Sequence, residues 1–188
     1  MRKEEFLMKW KTRLAVLAAA MYIPAGALAF DYNLSIDEIS EHPLTAYNTV
    51  YLGMPKKDFA LNFSILPDWT FYGSDGTTEK AERSVTQDGV TVIEGLSIET
   101  ADGSPAGRVL AFENYFRTTN RKTARDMYAR LSATIYSNME DFPASQNSKE
   151  IRWIQNDVTI VTRLDDKKDG EGYYTVLIRR YNNHVLSE

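Results

Sequence analysis

The stretch from Thr119 to Met139, TNRKTARDMYARLSATIYSNM, constrains this chain more than any other. Ala124, Met127, Tyr128, Leu131, Ile135, Asn138 and Met139 recur at helical spacing and form one mostly apolar stripe. Arg121, Lys122, Arg125, Asp126 and Arg130 fall mainly on the other side. Thr119 or Asn120 can cap the start, because a short side-chain oxygen accepts a free backbone N–H there. Phe142-Pro143 follow the end, and proline cannot continue a helix. An amphipathic helix must bury its stripe against something. The segments on both sides of it are strand-like, so the expected partner is a sheet whose inner face the helix covers.

The flanking strands are read from their period and their turns. Asp88-Gly89 is a tight-turn signal between Arg83–Gln87 and Val90–Ile98, with Gly95 expected as a bulge. ADGSPAG, residues 101–107, is a loop, and the aromatic-rich run Arg108–Thr118 reads as a strand. Asn156-Asp157 joins Glu150–Gln155 to Val158–Thr162 as a hairpin. A two-residue turn there sets Trp153 opposite Ile160 and Ile151 opposite Thr162. Asp165–Gly172 is a charged loop. Tyr173–Tyr181 alternates, with Tyr174, Val176, Ile178 and Arg180 on one face and Tyr173, Thr175, Leu177, Arg179 and Tyr181 on the other.

Upstream, Ser35 and Glu38 have capping-box spacing for one helical turn, which His42-Pro43 breaks. Residues 45–51 fit no single state. Pro55–Phe63 reads as a short helix, since proline is tolerated in a first turn. Trp69–Tyr72 reads as a strand, and Gly73–Lys80 as a polar loop. Strands, one long helix, then more strands, joined by hairpins, give an α+β fold. Its sheet is antiparallel, covered on one face by the long helix, with a short N-terminal helix besides. A helix and strands on each side could hide a weak two-fold repetition.

The N-terminus reads as a leader. Arg2, Lys3, Lys9, Lys11 and Arg13 precede an apolar run of about ten residues, Leu14–Ile23. Spanning a bilayer takes roughly twenty residues. Pro24 and Gly26 break the run, and Ala27-Leu28-Ala29 fits signal peptidase. Residues 1–29 are therefore expected as a signal peptide cut after Ala29, and residues 30–188 as a single α+β domain. Two small halves sharing a sheet, 30–80 and 81–188, are the alternative division. Removing the leader's five basic and two acidic residues from the chain's 22 and 26 leaves 17 against 24. That acidic balance argues against nucleic acid, which needs a clustered basic face. The chain has no cysteine. It therefore carries neither disulfides nor a lipobox thiol, and the expected setting is bacterial, periplasmic or secreted, with no membrane anchor after cleavage.

Residues 51–58, Tyr-Leu-Gly-Met-Pro-Lys-Lys-Asp, resemble the Gly-Met helix start of the BamE/SmpA family and the related beta-lactamase-inhibitor-like domains. Gly53-Met54-Pro55 matches that start, and Asp58-Phe59 stands for its acidic–apolar pair. The resemblance spans about ten residues. It departs from BamE in lacking a lipidated cysteine and in the long helix from Thr119. It implies a helical pair packed on a small antiparallel sheet, in a non-catalytic, protein-binding, exported domain, and no functional residue is carried over from it.

Motifs of chemistry are sparse. His42 and His184 stand far apart, without the helical spacing of a catalytic zinc pair. Asp165, Asp166, Asp169 and Glu171 share a loop with Gly170, but Lys167 and Lys168 interrupt any calcium-loop spacing, and a solvated hairpin loop reads better. No G-x-S-x-G, no S-x-x-K and no glycine-rich phosphate loop is present. Glu94, Glu99 and Glu113 lie near strands and read as surface carboxylates; one turned inward would be notable. Catalytic, cofactor and metal residues are therefore all assigned as none. Tyr115, Phe116, Arg117, Arg152, Trp153, Tyr173, Arg179, Arg180 and Tyr181 belong to segments around one sheet, and aromatics with arginine are favoured where proteins bind each other. Tyr173, Arg179 and Tyr181 are the candidate partner face. The resulting reading is an exported, non-catalytic domain that binds another protein or an envelope component. A small envelope hydrolase with an unrecognised acid–base pair, and a carrier of a small apolar ligand between helix and sheet, are its rivals.

Overall fold

The computed structural model describes residues 34–139 and 141–184. The expected leader, its expected cut after Ala29 and residues 30–33 lie outside them. Among the described residues, three helices, α1 (Ile36–Glu41), α2 (Lys56–Ser64) and α3 (Arg121–Asn138), accompany eight strands. These are β1 (Thr70–Tyr72), β2 (Thr78–Gln87), β3 (Val90–Thr100), β4 (Val109–Thr118), β5 (Ser145–Gln146), β6 (Glu150–Gln155), β7 (Val158–Asp165) and β8 (Tyr174–Asn182). They form one sheet in the order β1-β2-β3-β4-β8-β7-β6-β5, and every pairing is antiparallel. The fold is α+β.

The order holds a repeat. A helix followed by a four-stranded meander occurs twice, as α2–β1–β2–β3–β4 and as α3–β5–β6–β7–β8. The two meanders meet where β4 pairs with β8. The repeat divides between β4 and α3, whereas residues 80 and 81 both lie within β2. Among the described residues, no helix is long and apolar enough to cross a membrane.

α3 forms where its pattern demands. Asn120 caps it, its side chain accepting from the Thr123 N–H. Ala124, Met127, Tyr128, Leu131 and Ile135 are buried, and the helix packs on β4, β8 and β7. Burying each large apolar side chain contributes about 1.5–3 kcal/mol, so the stripe together outweighs the roughly 1 kcal/mol of a single cap. Asn138, at the stripe's end, is exposed. α2 carries Phe59 and Phe63, both buried in a second cluster with Met54, Leu96, Ile98 and Phe112.

The hairpin turns follow their sequence. Asp88 and Gly89 both take positive φ, as does Asn156, and Trp153 pairs with Ile160 and Ile151 with Thr162. Three local expectations fail. Ser35 makes no side-chain cap to α1; its backbone N–H is held by Glu94 instead. β2 starts at Thr78, inside the expected loop, because Thr78 pairs with Glu99. Gly95 is not a bulge. It pairs in unbroken register with Glu82 and Tyr115, and the irregularity falls at Glu99/Thr100. A Cβ on Gly95 would sit 2.1 Å from Cζ of Tyr115. The glycine is there to let an aromatic ring lie flat across the strand.

Candidate functional site

Residues alternate across a strand, so the register sorts every side chain onto one of two faces. One face carries Val92, Glu94, Leu96 and Ile98 on β3, Phe112, Asn114 and Phe116 on β4, and Val176, Ile178 and Arg180 on β8, all buried. The helices engage this face: Tyr136 of α3 packs edge-on to Trp153 at 6.3 Å.

Among the described residues, two charges on it have no exposed surface at all. Glu94, read from the sequence as a surface carboxylate, is 0% exposed. It accepts from Ser35 N (3.2 Å), Tyr47 Oη (2.8 Å) and Arg83 Nε (2.7 Å), and Arg83 Nη2 lies 2.6 Å away. Burial, followed by the charge of Glu94, raises the pKa of the Tyr47 phenol well above its usual value. Arg180 is also fully buried. It donates to Pro43 O (2.8 Å), Ile178 O (3.2 Å), Ile39 O (3.4 Å) and Asn114 Oδ1, and it stacks on Phe112 at 4.9 Å. Burial pulls its pKa down to about 9, which leaves it charged at neutral pH. Both groups tie the 35–47 segment to the sheet. Neither has an open side for a ligand.

The opposite face presents the reachable chemistry. Glu113 on β4 stands directly across from Arg179 on β8 and Ser97 on β3. Glu99, two residues along β3 from Ser97, accepts from Arg179 Nη2 at 3.1 Å. Arg179 Nε is buried with no hydrogen-bond partner among the described residues. A shallow pocket of about 180 Å³ lies here, lined by Thr78, Ser97, Glu99, Ala111, Glu113 and Arg179 over the backbone at Ile98 and Phe112. Glu113 has its pKa raised by burial, against the lowering pull of Arg179 and Arg163; Asp165 adds to the rise. It holds a proton to a higher pH than a free glutamate.

Rows of paired polar groups surround the pocket. Tyr115 lies over Gly95 and donates to Glu82 Oε1 at 2.6 Å. Burial, then the bond and charge of Glu82, raise its phenol pKa. Arg117 stacks on Tyr173 at 4.6 Å and pairs with Asp169 (2.8 Å) and Glu171 (2.7 Å). Arg152 donates to Tyr181 Oη at 3.0 Å.

The candidate trio is thus divided. Arg179 is in the pocket, and Tyr173 is half-buried beneath Arg117. Tyr181 is not exposed; at 4% it packs into a small apolar cluster with Ala111 and Val161. Of the other aromatics and arginines, Phe116, Trp153 and Arg180 are buried on the helix-bearing face. The acidic loop is already engaged by cations. Asp165 pairs with Arg163, Asp166 with Arg121, Arg125 and Lys149, and Asp169 and Glu171 with Arg117. Among the described residues, no three His, Asp or Glu side chains are grouped to hold a metal. His184 lies 2.9 Å from Asp157.

The Glu94–Arg83 pair was within reach of sequence reasoning: a two-residue turn at Asp88-Gly89 fixes Arg83 opposite Glu94, on the parity of Ala81, Val92 and Leu96. Glu113 opposite Arg179 was not, because β4 and β8 are joined only by the long excursion through α3. No protein-family model, no curated protein and no solved structure matches this chain.

Proposed function

We propose that the chain is an exported, non-catalytic domain that binds another protein or an envelope component through the sheet face bearing Glu113. The helices cover the other face, which leaves this one as the working surface. The observation that carries the reading is the centre of that face: a half-buried carboxyl, Glu113, directly across from an arginine, Arg179, whose Nε is buried with no hydrogen-bond partner among the described residues. Around this centre, Tyr115, Arg117, Tyr173 and Arg152 are held by neighbours rather than free to swing. Side chains already ordered lose little entropy on binding, and arginine and tyrosine are the usual anchors of protein interfaces. The resemblance of residues 51–58 to BamE/SmpA-like domains implies a role of the same class.

The hydrolase reading draws on the same pocket, where the raised pKa of Glu113 beside Glu99 has the form of an acid–base couple. Its weakness is geometric: flat strands give a shallow basin rather than a cleft that excludes water. Quantitative capture from native envelope extract separates the readings. Binding predicts a component that the wild type retains, that Glu113→Lys loses and that Lys57→Gln on α2 retains. A retained component indifferent to Glu113→Lys refutes the assignment of the face.

A further inference from the structure

A second surface lies at the start of α3. Arg121, Arg125 and Lys149 converge on one carboxylate, Asp166, at 3.1, 3.2 and 3.5 Å. The three cations are each about half exposed, 50%, 53% and 51%, whereas Asp166 is 12% exposed. Lys122, 82% exposed, has its ammonium 2.7 Å from Asp126. Lys167 and Lys168 follow Asp166 directly, both exposed, with Lys168 5.8 Å from the centroid of Tyr174. Tyr174 in turn pairs with Thr118, just before α3. Three segments distant in sequence thus bring six cations together against two carboxylates, Asp126 and Asp166. The neighbouring acids pair elsewhere, Asp165 with Arg163, and Asp169 and Glu171 with the single Arg117, which leaves one negative charge uncompensated against the four in excess among the six cations. The local excess is positive, on a chain whose net charge is −4.

We propose that this basic corner docks the protein onto an anionic phospholipid surface. The charge is concentrated where long side chains stand on exposed backbone, and it is spread over a patch rather than focused in a pocket. That distribution suits a plane of phosphates, and clusters of four to eight Lys and Arg are what such surfaces attract. Tyr174 stands beside Lys168, whereas single-stranded nucleic acid uses a row of aromatic side chains on which successive bases stack. The site is independent of the pocket at Glu113, which lies across β4 and β8 on the other face.

The test is co-sedimentation of the protein, purified as the cell exports it, with phosphatidylcholine vesicles with and without phosphatidylglycerol. Binding is expected only with the anionic lipid and should fall steeply with salt. Each cation near the surface is worth about 1 kcal/mol, or about five-fold in partitioning. The Lys167→Gln/Lys168→Gln variant should therefore bind about 25-fold more weakly, and the Arg121→Gln/Arg125→Gln/Lys149→Gln variant about a hundred-fold more weakly. Asp166→Asn removes the shared counter-charge and should bind about five-fold more tightly, which a purely structural role for Asp166 does not predict. Glu113→Gln should change nothing, so this inference and the proposed function fail separately. Equal binding to neutral vesicles overturns the proposal. So does an unaltered Lys167/Lys168 variant, or a protein that binds soluble polyphosphate and ignores vesicles.

Discussion

Replacing Gly95 with alanine tests the register on which both faces depend. The new methyl would lie 2.1, 2.2 and 2.5 Å from Cζ, Cε2 and Oη of Tyr115. Ordinary carbon contacts are about 3.5–4 Å, so the ring must lift by more than an ångström. Lifting costs about 1–3 kcal/mol as overpacking. It also stretches the 2.6 Å bond from Tyr115 to Glu82, a bond to a charged acceptor worth about 1.5–3 kcal/mol where water cannot replace it. Glu82 is 16% exposed, so water recovers part of that. Removing a strand glycine returns about 0.5–1 kcal/mol. The expected net loss is about 2–3 kcal/mol, with the overpacking term dominant. In a Tyr115→Ala background the clash is gone, and Gly95→Ala should be neutral or stabilising by up to about 1 kcal/mol. Urea unfolding of the four proteins, with m held common, gives a coupling energy of about 3 kcal/mol. Equal cost of Gly95→Ala in both backgrounds would refute the pairing of β3 with β4 described above.

Arg180→Met strips the donor from Pro43 O, Ile39 O and Asn114 Oδ1. It should cost about 2–4 kcal/mol in thermal unfolding and open the 36–43 segment to protease first. Lys56→Met should cost about 3–5 kcal/mol in urea, because it leaves buried Glu79 without its cation and three loop carbonyls, Ser74, Gly76 and Gly103, without their donor. Glu113 has a raised folded pKa, so the native state holds its proton more tightly than the unfolded chain. Its contribution is present in acid and is lost as pH rises through the folded pKa. Glu113→Gln should therefore gain stability over the wild type from acid to neutral pH, measured by melting temperature; a constant difference across that range contradicts the assignment.

Local pattern carried much of this fold. The stripe from Ala124 to Ile135 gave α3, Thr119 or Asn120 stood out as its cap and Asn120 is the one, and Asp88-Gly89 and Asn156-Asp157 gave two hairpins, the second with its register. What failed was set by distant neighbours. Gly95 looked like a bulge because nothing local announces the ring of Tyr115, which arrives from another strand. Ser35 looked like a cap until Glu94, 59 residues away, took its N–H. Tyr181 shares parity with Arg179 but is buried, because Ala111 and Val161 flank it and Arg152 closes over its hydroxyl. The pocket itself was hidden for the same reason: Glu113 and Arg179 meet only once β8 has returned to pair with β4. The basic corner at Asp166 is likewise assembled from three segments, and in the chain its cations stand beside acids, as Lys167 and Lys168 do between Asp166 and Asp169, so no long basic run marks it.

The most direct test of the proposed binding role is site-specific photo-crosslinking in the producing cell. A photoreactive side chain at Ser97, on the rim of the Glu113 pocket, should yield a discrete protein or envelope adduct that disappears when Glu113→Lys is added. The same probe at exposed Ala129 on α3 should not yield that adduct. An adduct common to both positions, or one at Ala129 with none at Ser97, would contradict the account.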